Sequence, residues 1–148
     1  NTWGELLFDT VLIRAPRSTA WGLAEALRTE WADVRHLAVA AQVREDAAAV
    51  GIADEQLAET DTARAQELLA AMERGLLMGS SSESVLADPC RMLYVPVAYP
   101  VVDRLHISDQ PFMGLRGAQH IEDMLWNGSV LRREISVRAG MSRSIPKI

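Results

Sequence analysis

The segment that most constrains the fold is ELLFDTVLIRA, from Glu5 to Ala15. It is rich in β-branched and large apolar residues and stops at Pro16, so it predicts a strand rather than a helix. Apolar side chains occupy both alternating faces: Leu6, Phe8 and Leu12 on one, and Leu7, Val11 and Ile13 on the other. A strand with two apolar faces is buried on both sides. We therefore expect other elements to cover this strand from both directions.

Residues 18–78 carry apolar side chains at steps of three or four, which is the spacing of a helix face. Ser18 or Thr19 can cap the first helix, whose stripe runs through Ala20, Leu23, Leu27, Trp31, Val34 and Ala38. A second stripe, made of Ala65, Leu68, Leu69, Met72 and Leu76, precedes Gly79 as a C-cap. The pattern predicts a long antiparallel helical hairpin over about 18–78, joined near Gly51.

The remaining third of the chain predicts shorter elements. GSSSESVLADP, residues 79–89, has no periodicity and predicts a flexible loop. CRMLYVPVAYPVVDRLHI reads as two short strands interrupted by Pro96 and Pro100, so this segment either lies at a sheet edge or bends sharply. AQHIEDMLW predicts a short helix closed by Asn127 and Gly128, and SVLRREISVRA alternates as a one-sided strand. Residues 139–148 form a basic tail without a pattern.

Together these elements predict a single α+β domain over residues 1–148. In this fold the helical hairpin packs on a small mixed sheet formed by the N-terminal strand and the C-terminal strands. The length suits one domain with its own core. No apolar run approaches the roughly 18 residues that span a bilayer. The single cysteine is compatible with a reducing compartment or a virion, and it leaves the compartment unknown.

The charge is unevenly distributed along the chain, whose net charge is −5. Residues 51–89 hold two basic and eight acidic groups, a net −6, whereas residues 90–148 hold eight basic and five acidic groups, a net +3. A basic end joined to an acidic middle is typical of contact with a polyanion or of head-to-tail contact between copies of the chain. The residues predicted to bind a partner are Arg132, Arg138, Arg143 and Lys147.

Two histidines are the candidates for chemistry. His106 stands between Asp103 and Asp109, but on a strand the carboxylates would face away from it, so a turn and a strand explain the spacing better. His120 and Asp123 are neighbours on the short helix, a pair that can bind a metal or tune a general base. No HExxH pattern accompanies them, and a solvated helix face explains them too. No catalytic, cofactor-binding or metal residues are therefore predicted. If the chain is an enzyme, the candidates are His106, His120 and Asp123.

The function predicted from these features is a non-catalytic structural or assembly subunit of a larger complex, capsid or shell. Such a subunit would associate with itself or dock through strand edges and the basic tail. RAQELLAAMERGLLMG, with FMGLRG later, resembles phage-type shell proteins in which a helix stops at Gly before a loop. One alternative is a small enzyme with a site built from His106, His120 and nearby carboxylates. A second is a polyanion-binding module, although the basic residues lack the interleaved aromatics that stack on nucleic acid bases.

Overall fold

The computed structural model describes residues 6–41, 51–88, 91–98 and 114–144, with the backbone alone for 132–144. The strands are β1 (Leu7–Arg14), β2 (Asp33–Ala40), β3 (Glu55–Leu57), β4 (Gly75–Gly79) and β5 (Met92–Pro96). The helices are α1 (Arg17–Ala26), α2 (Thr62–Ala71), α3 (Ser81–Ser84) and α4 (Gly114–Ser144). Within these ranges strands alternate with helices, except that β3 follows β2 across residues 42–50, which lie outside the described ranges. A π-helical turn, Leu27–Trp31, extends α1.

The five strands form one sheet in the order β3-β2-β1-β4-β5, and each of its four strand pairs is parallel. Strand β1 lies at the centre, with Leu12 opposite Ala38 of β2 on one side and opposite Leu77 of β4 on the other. Parallel strands need crossover connections, usually helices, and these cover the faces of the sheet. The architecture is therefore α/β.

Helices cover both faces of the sheet. Val11 and Ile13 of β1 belong to one apolar cluster, which includes residues of α1 and α4. Leu12 belongs to a second cluster, which includes residues of α2. All three side chains are fully buried. The predicted N-terminal strand is thus present as β1, and it is covered on both sides as its two apolar faces require.

The predicted helical hairpin over residues 18–78 is wrong, and with it the α+β assignment. That stretch contains α1, β2, β3, α2 and β4. The reason is burial: residues 37–41 of the second strand and its exit, and all of Gly75–Gly79, are buried. A parallel strand covered on both faces is a nearly continuous apolar run. A run rich in Ala and Leu also satisfies helical spacing, so periodicity alone could not separate the two structures.

The predicted C-terminal strand SVLRREISVRA is also wrong, because these residues belong to α4, and the sheet is parallel rather than mixed. Leu, Arg and Glu are good helix formers, and here their intrinsic preference outweighs a short alternation. Gly128 does not end the helix. A Cβ built on it would overlap Leu93 Cδ1, so this glycine allows α4 to approach β5 closely.

Strand β5 ends at Pro96 and lies at one end of the strand order, in agreement with the predicted edge strand. The second strand predicted after Pro100 lies outside the described residues. The segment predicted as a flexible loop contains α3, and residues 139–144 of the predicted tail continue α4. Flexibility of either segment stays a prediction, as does the single-domain assignment.

Candidate functional site

The path of the chain through the sheet reverses between β1 and β4. From β1 the chain moves outward to β2 and β3, and it then returns to place β4 on the other side of β1. Helices α1 and α2, which follow β1 and β3, lie on opposite faces. In open parallel sheets such a reversal leaves a crevice outside the carboxyl ends of the two strands, and ligands bind there. The candidate site, called the crevice below, consists of residues 14–19 and 79–83.

On the β1 side, the strand ends at Arg14 and α1 begins at Arg17. Pro16 occupies the N-cap position, where its carbonyl accepts a 2.9 Å hydrogen bond from the Ala20 N–H, but no side chain caps the helix. Pro16, Arg17 and Ser18 are exposed. The connection lacks the G-x-G-x-x-G turn that lets a dinucleotide pyrophosphate approach the backbone. The β1 side is therefore a basic and hydroxyl-bearing rim without a dinucleotide fingerprint.

On the β4 side, Gly79 leads into α3 through a capping box. Glu83 Oε2 accepts a 2.7 Å hydrogen bond from the Ser80 N–H and another from the Ser80 hydroxyl. The Ser80 side chain in turn accepts from the backbone N–H of Glu83, so donors at the helix start are satisfied reciprocally. A Cβ at Gly79 would lie 2.9 Å from Glu83 Oε2, so the lack of a side chain at residue 79 leaves room for this carboxylate. Glu83 is thus fixed at the crevice.

Arg14 ends β1 and contacts two further connections at the carboxyl edge of the sheet, the loop before α2 and the turn from β4 into α3. Its Nη2 donates a 2.9 Å hydrogen bond to the carbonyl of Glu59, in the loop before α2. Its Nη1 lies 3.5 Å from Glu83 Oε1. The Arg14 side chain is 25% exposed and that of Glu83 is 12% exposed. The pair is therefore partly shielded from water, while solvent still reaches the guanidinium.

The exit of β5 is tied to the same place. The carbonyl of Gly79 accepts hydrogen bonds from the backbone N–H groups of Val97, at 2.9 Å, and Ala98, at 3.2 Å. The segment after β5 is thereby held against the end of β4. The ends of β1, β4 and β5 and the loop before α2 consequently meet around Arg14, Gly79 and Glu83.

The sequence-predicted residues that the structure describes lie on α4, outside residues 14–19 and 79–83. His120 is half-buried and Asp123 is exposed, both on α4. His106 lies outside the described residues, so its meeting with His120 stays a prediction. Helix α4 contains three of the residues predicted to bind a partner, Arg132, Arg138 and Arg143. The fourth, Lys147, lies outside the described residues. Their role in binding a partner also stays a prediction.

A second charged cluster attaches β3 to β2. Arg28 donates hydrogen bonds to the carbonyls of Ile52 and Val34, both at 3.1 Å, and to Asp54 Oδ2 at 2.6 Å. Asp54 Oδ2 also accepts the backbone N–H of Leu37 at 2.8 Å. This backbone hydrogen bond is the main cause that lowers the pKa of Asp54, and Arg28 adds to it. The cluster positions the segment before β3.

Glu55 extends the cluster to α2. It accepts hydrogen bonds from Arg64 Nε at 2.6 Å and Arg64 Nη2 at 3.1 Å, and its Oε2 lies 3.0 Å from His36 Nε2. The Arg64 bonds are the main cause that lowers the pKa of Glu55, and His36 contributes. His36 lies on strand β2, not in the helix predicted for residues around it. Its contact with Glu55 joins β2 to β3. These contacts fix the position of a strand of only three residues.

Acid should weaken this second cluster. Both carboxyl groups have folded pKa values below the ordinary 3.8 of Asp54 and 4.5 of Glu55. The stability they add is present above those ordinary values and is lost as the pH falls through the folded values. Exposed ion pairs contribute at most about 1 kcal/mol each, so the effect is modest. We expect the urea midpoint of the wild type to fall more between about pH 7 and about pH 3 than that of the Asp54→Asn/Glu55→Gln double variant. Equal falls would contradict this role.

The residues of this chain limit which metal centre it can hold. Iron–sulfur clusters are held by several cysteine thiolates, but the 148 residues contain one cysteine, Cys90, which lies outside the described residues. Across the described ranges, no three His, Cys, Asp or Glu side chains are grouped to hold a metal ion. The residues therefore do not fit an iron–sulfur cluster held by these 148 residues alone. The helices of the described residues include none long and apolar enough to cross a membrane.

Part of the crevice had a visible sequence signal. Ser80 and Glu83 form the S-x-x-E pattern of a capping box, which predicts a helix start where the Ser run suggests a loop. Arg14 had no such signal, because its partners Glu59 and Glu83 are 45 and 69 positions away. Only the strand order brings these residues together.

The sequence comparison identifies one matching family. The family described as "Nitrogenase component 1 type Oxidoreductase" matches residues 9–129. The match includes β2 to β5 in full, β1 from Asp9 onward and the first half of α4. No curated protein matches the chain.

The family match corrects the predicted function. A capsid or shell subunit is wrong, and the resemblance to phage-type shell proteins carries no weight, because the matched family is an oxidoreductase family. The alternative of an enzyme agrees better with the match, and the preference for a non-catalytic protein is not confirmed. Since the match covers 121 of the 148 residues (9 to 129 inclusive), the chain belongs to the nitrogenase component 1 type oxidoreductase family.

Proposed function

We propose that this chain is a ligand-binding domain of an oxidoreductase complex and that its ligand lies in the crevice at the carboxyl ends of β1 and β4. The observation that carries the proposal is the reversal of the strand order between β1 and β4, in a chain of an oxidoreductase family. The rule that ligands of open α/β sheets bind at such a reversal supplies the position.

The chemistry of the crevice favours a small anionic ligand. Arg14 and Arg17 stand on the β1 side, Ser18 is exposed beside them, and α1 begins without an acidic residue in its first turn. The one carboxylate among these residues, Glu83, is held by Ser80 and lies 3.5 Å from Arg14, so the two arginines outnumber it. A dinucleotide is disfavoured because the glycine-rich turn is missing.

A complex rather than an isolated enzyme is favoured by two observations. The family description names a component, and proteins of this kind work in multi-subunit complexes, which supports the coarse prediction of protein partners. One cysteine cannot complete an iron–sulfur cluster, so we propose that ligands outside these 148 residues hold the electron-carrying group. The involvement of His106, His120 and Asp123 in this chemistry remains a prediction.

Blocking the crevice tests the proposal. Ser18→Trp places a large side chain at the exposed start of α1, and Gln66→Trp is the matched control on the exposed face of α2. Binding is measured by equilibrium dialysis of the whole chain against labelled oxalate and labelled inorganic phosphate. We expect at least one anion to bind, with Ser18→Trp weakening it about tenfold and Gln66→Trp changing it less than about twofold, because a tenfold change requires the loss of only about 1.4 kcal/mol.

Two outcomes would contradict the proposal. The first is that neither anion binds the wild type. The second is that both tryptophan variants bind as the wild type does, which would place the anion outside the crevice. Circular dichroism of each variant confirms that the comparison is made between folded proteins.

A further inference from the structure

We propose that Arg14 is the residue that recognises the ligand in the crevice, that it takes a carboxylate or phosphate group, and that Glu83 sets how tightly this group is held. The inference rests on the proposed function, because it assigns the contacts of the same crevice. It goes further by naming the recognising side chain, the ligand group and the residue that competes with it.

Arg14 is fixed in direction and still has donors to offer. Its Nη2 is directed by the carbonyl of Glu59 at 2.9 Å. A guanidinium carries five N–H donors in a planar fork. The Glu83 oxygen lies 3.5 Å from Nη1, beyond the usual 2.7–3.2 Å of such a hydrogen bond. Within the described ranges, the contacts of Arg14 therefore leave donors for a carboxylate or phosphate, which match the fork in a bidentate manner.

Glu83 is held in place by hydrogen bonds that do not involve Arg14. Its Oε2 is held by the backbone N–H and the hydroxyl of Ser80, and Gly79 leaves the space that this position needs. Its other oxygen faces Arg14 from a fixed distance. Because both side chains are at most a quarter exposed, water and salt screen this charge less than at an open surface. Glu83 therefore opposes the binding of any anion to Arg14.

A purely structural role predicts a different result. If Arg14 and Glu83 only held the loops together, removal of either charge would loosen the crevice, and both changes would weaken anion binding. If Arg14 recognises the anion and Glu83 competes with it, the two changes act in opposite directions. The sign of the change in anion binding therefore distinguishes recognition of the anion from a role that only holds the loops together.

The experiment compares Arg14→Gln, Arg14→Lys and Glu83→Gln with the wild type in the same dialysis against oxalate and phosphate. Glutamine at position 83 keeps the acceptor of the capping box and removes only the charge. We expect Arg14→Gln to weaken binding about tenfold or more, Arg14→Lys to weaken it less because the charge remains without the fork, and Glu83→Gln to tighten it about threefold or more. The preferred anion identifies the ligand group.

The outcomes separate the inference from the function on which it rests. Opposite signs for Arg14→Gln and Glu83→Gln support the inference. If the wild type binds an anion and Ser18→Trp blocks it, but Glu83→Gln weakens binding or leaves it unchanged, the inference is overturned and the proposed function stands. If the wild type binds neither anion, both are overturned. Should Arg14→Gln not fold, Arg14→Lys and Glu83→Gln still give the two signs.

Discussion

Truncating Leu12 and truncating Ile13 to alanine should each lower the free energy of unfolding by about 3 kcal/mol. The two residues are adjacent in β1, so their side chains project to opposite faces of the sheet. Leu12 packs in the cluster beneath α2 and Ile13 in the cluster beneath α1 and α4, and both are fully buried. Removing either side chain therefore loses apolar burial and leaves a cavity. Urea unfolding with linear extrapolation measures the change.

The equality of the two effects is the informative part of this prediction. A sheet covered on one face would show one large loss and one small one. Leu86→Ala is the control, because Leu86 is 49% exposed and its truncation should cost less than about 0.5 kcal/mol. A loss below about 1 kcal/mol at either Leu12 or Ile13 would mean that the corresponding face is open, contrary to the α/β architecture.

Gly75→Ala should lower the free energy of unfolding by about 2 kcal/mol, because it overfills a closed space. A Cβ on Gly75 would lie 2.6 Å from Met72 Sδ and 2.9 Å from Met72 Cβ. Met72 is fully buried, and its carbonyl accepts a 2.9 Å hydrogen bond from Arg91 Nε. The backbone N–H of Gly75 also donates to the carbonyl of Arg91. The segment therefore has little freedom to give way.

Gly22→Ala is the matched control for this substitution. Gly22 lies inside α1, and a Cβ there would meet no atom within 4 Å. Alanine should then stabilise the protein by up to about 1 kcal/mol through its higher helix propensity. Thermal or urea unfolding of both variants gives the two signs. If Gly75→Ala left the free energy of unfolding unchanged or raised it, the end of α2 and the start of β4 would have room for a methyl group, contrary to the contact with Met72.

Strand β1 could be predicted from the sequence, whereas β2 and β4 could not. In β1, β-branched and large apolar residues leave no reasonable helix face, and Pro16 marks the end. In β2 and β4, Ala and Leu fill buried positions that are equally compatible with helical spacing. Whether such a segment forms a helix or a strand depends on pairing with neighbouring strands, which are distant in sequence.

The site was less predictable than the fold for the same reason. The capping box of Ser80 and Glu83 is local and can be read from four residues. The position of the crevice depends on β4 lying beside β1, which no local pattern states. Arg14 becomes a candidate only after that pairing is known. His106 and His120 are candidates by residue type alone, and residue type does not specify which side chains contact each other.

The most direct test of the central claim is to locate the bound anion by backbone amide chemical shifts of the isotope-labelled chain during a titration with oxalate and then with phosphate. If the reversal between β1 and β4 forms the ligand site, the largest shift changes should fall on both sides of the crevice, on residues 14–19 other than Pro16, which has no amide N–H, and on residues 79–83. Largest changes on α4, or at the amino ends of the strands, would contradict the claim.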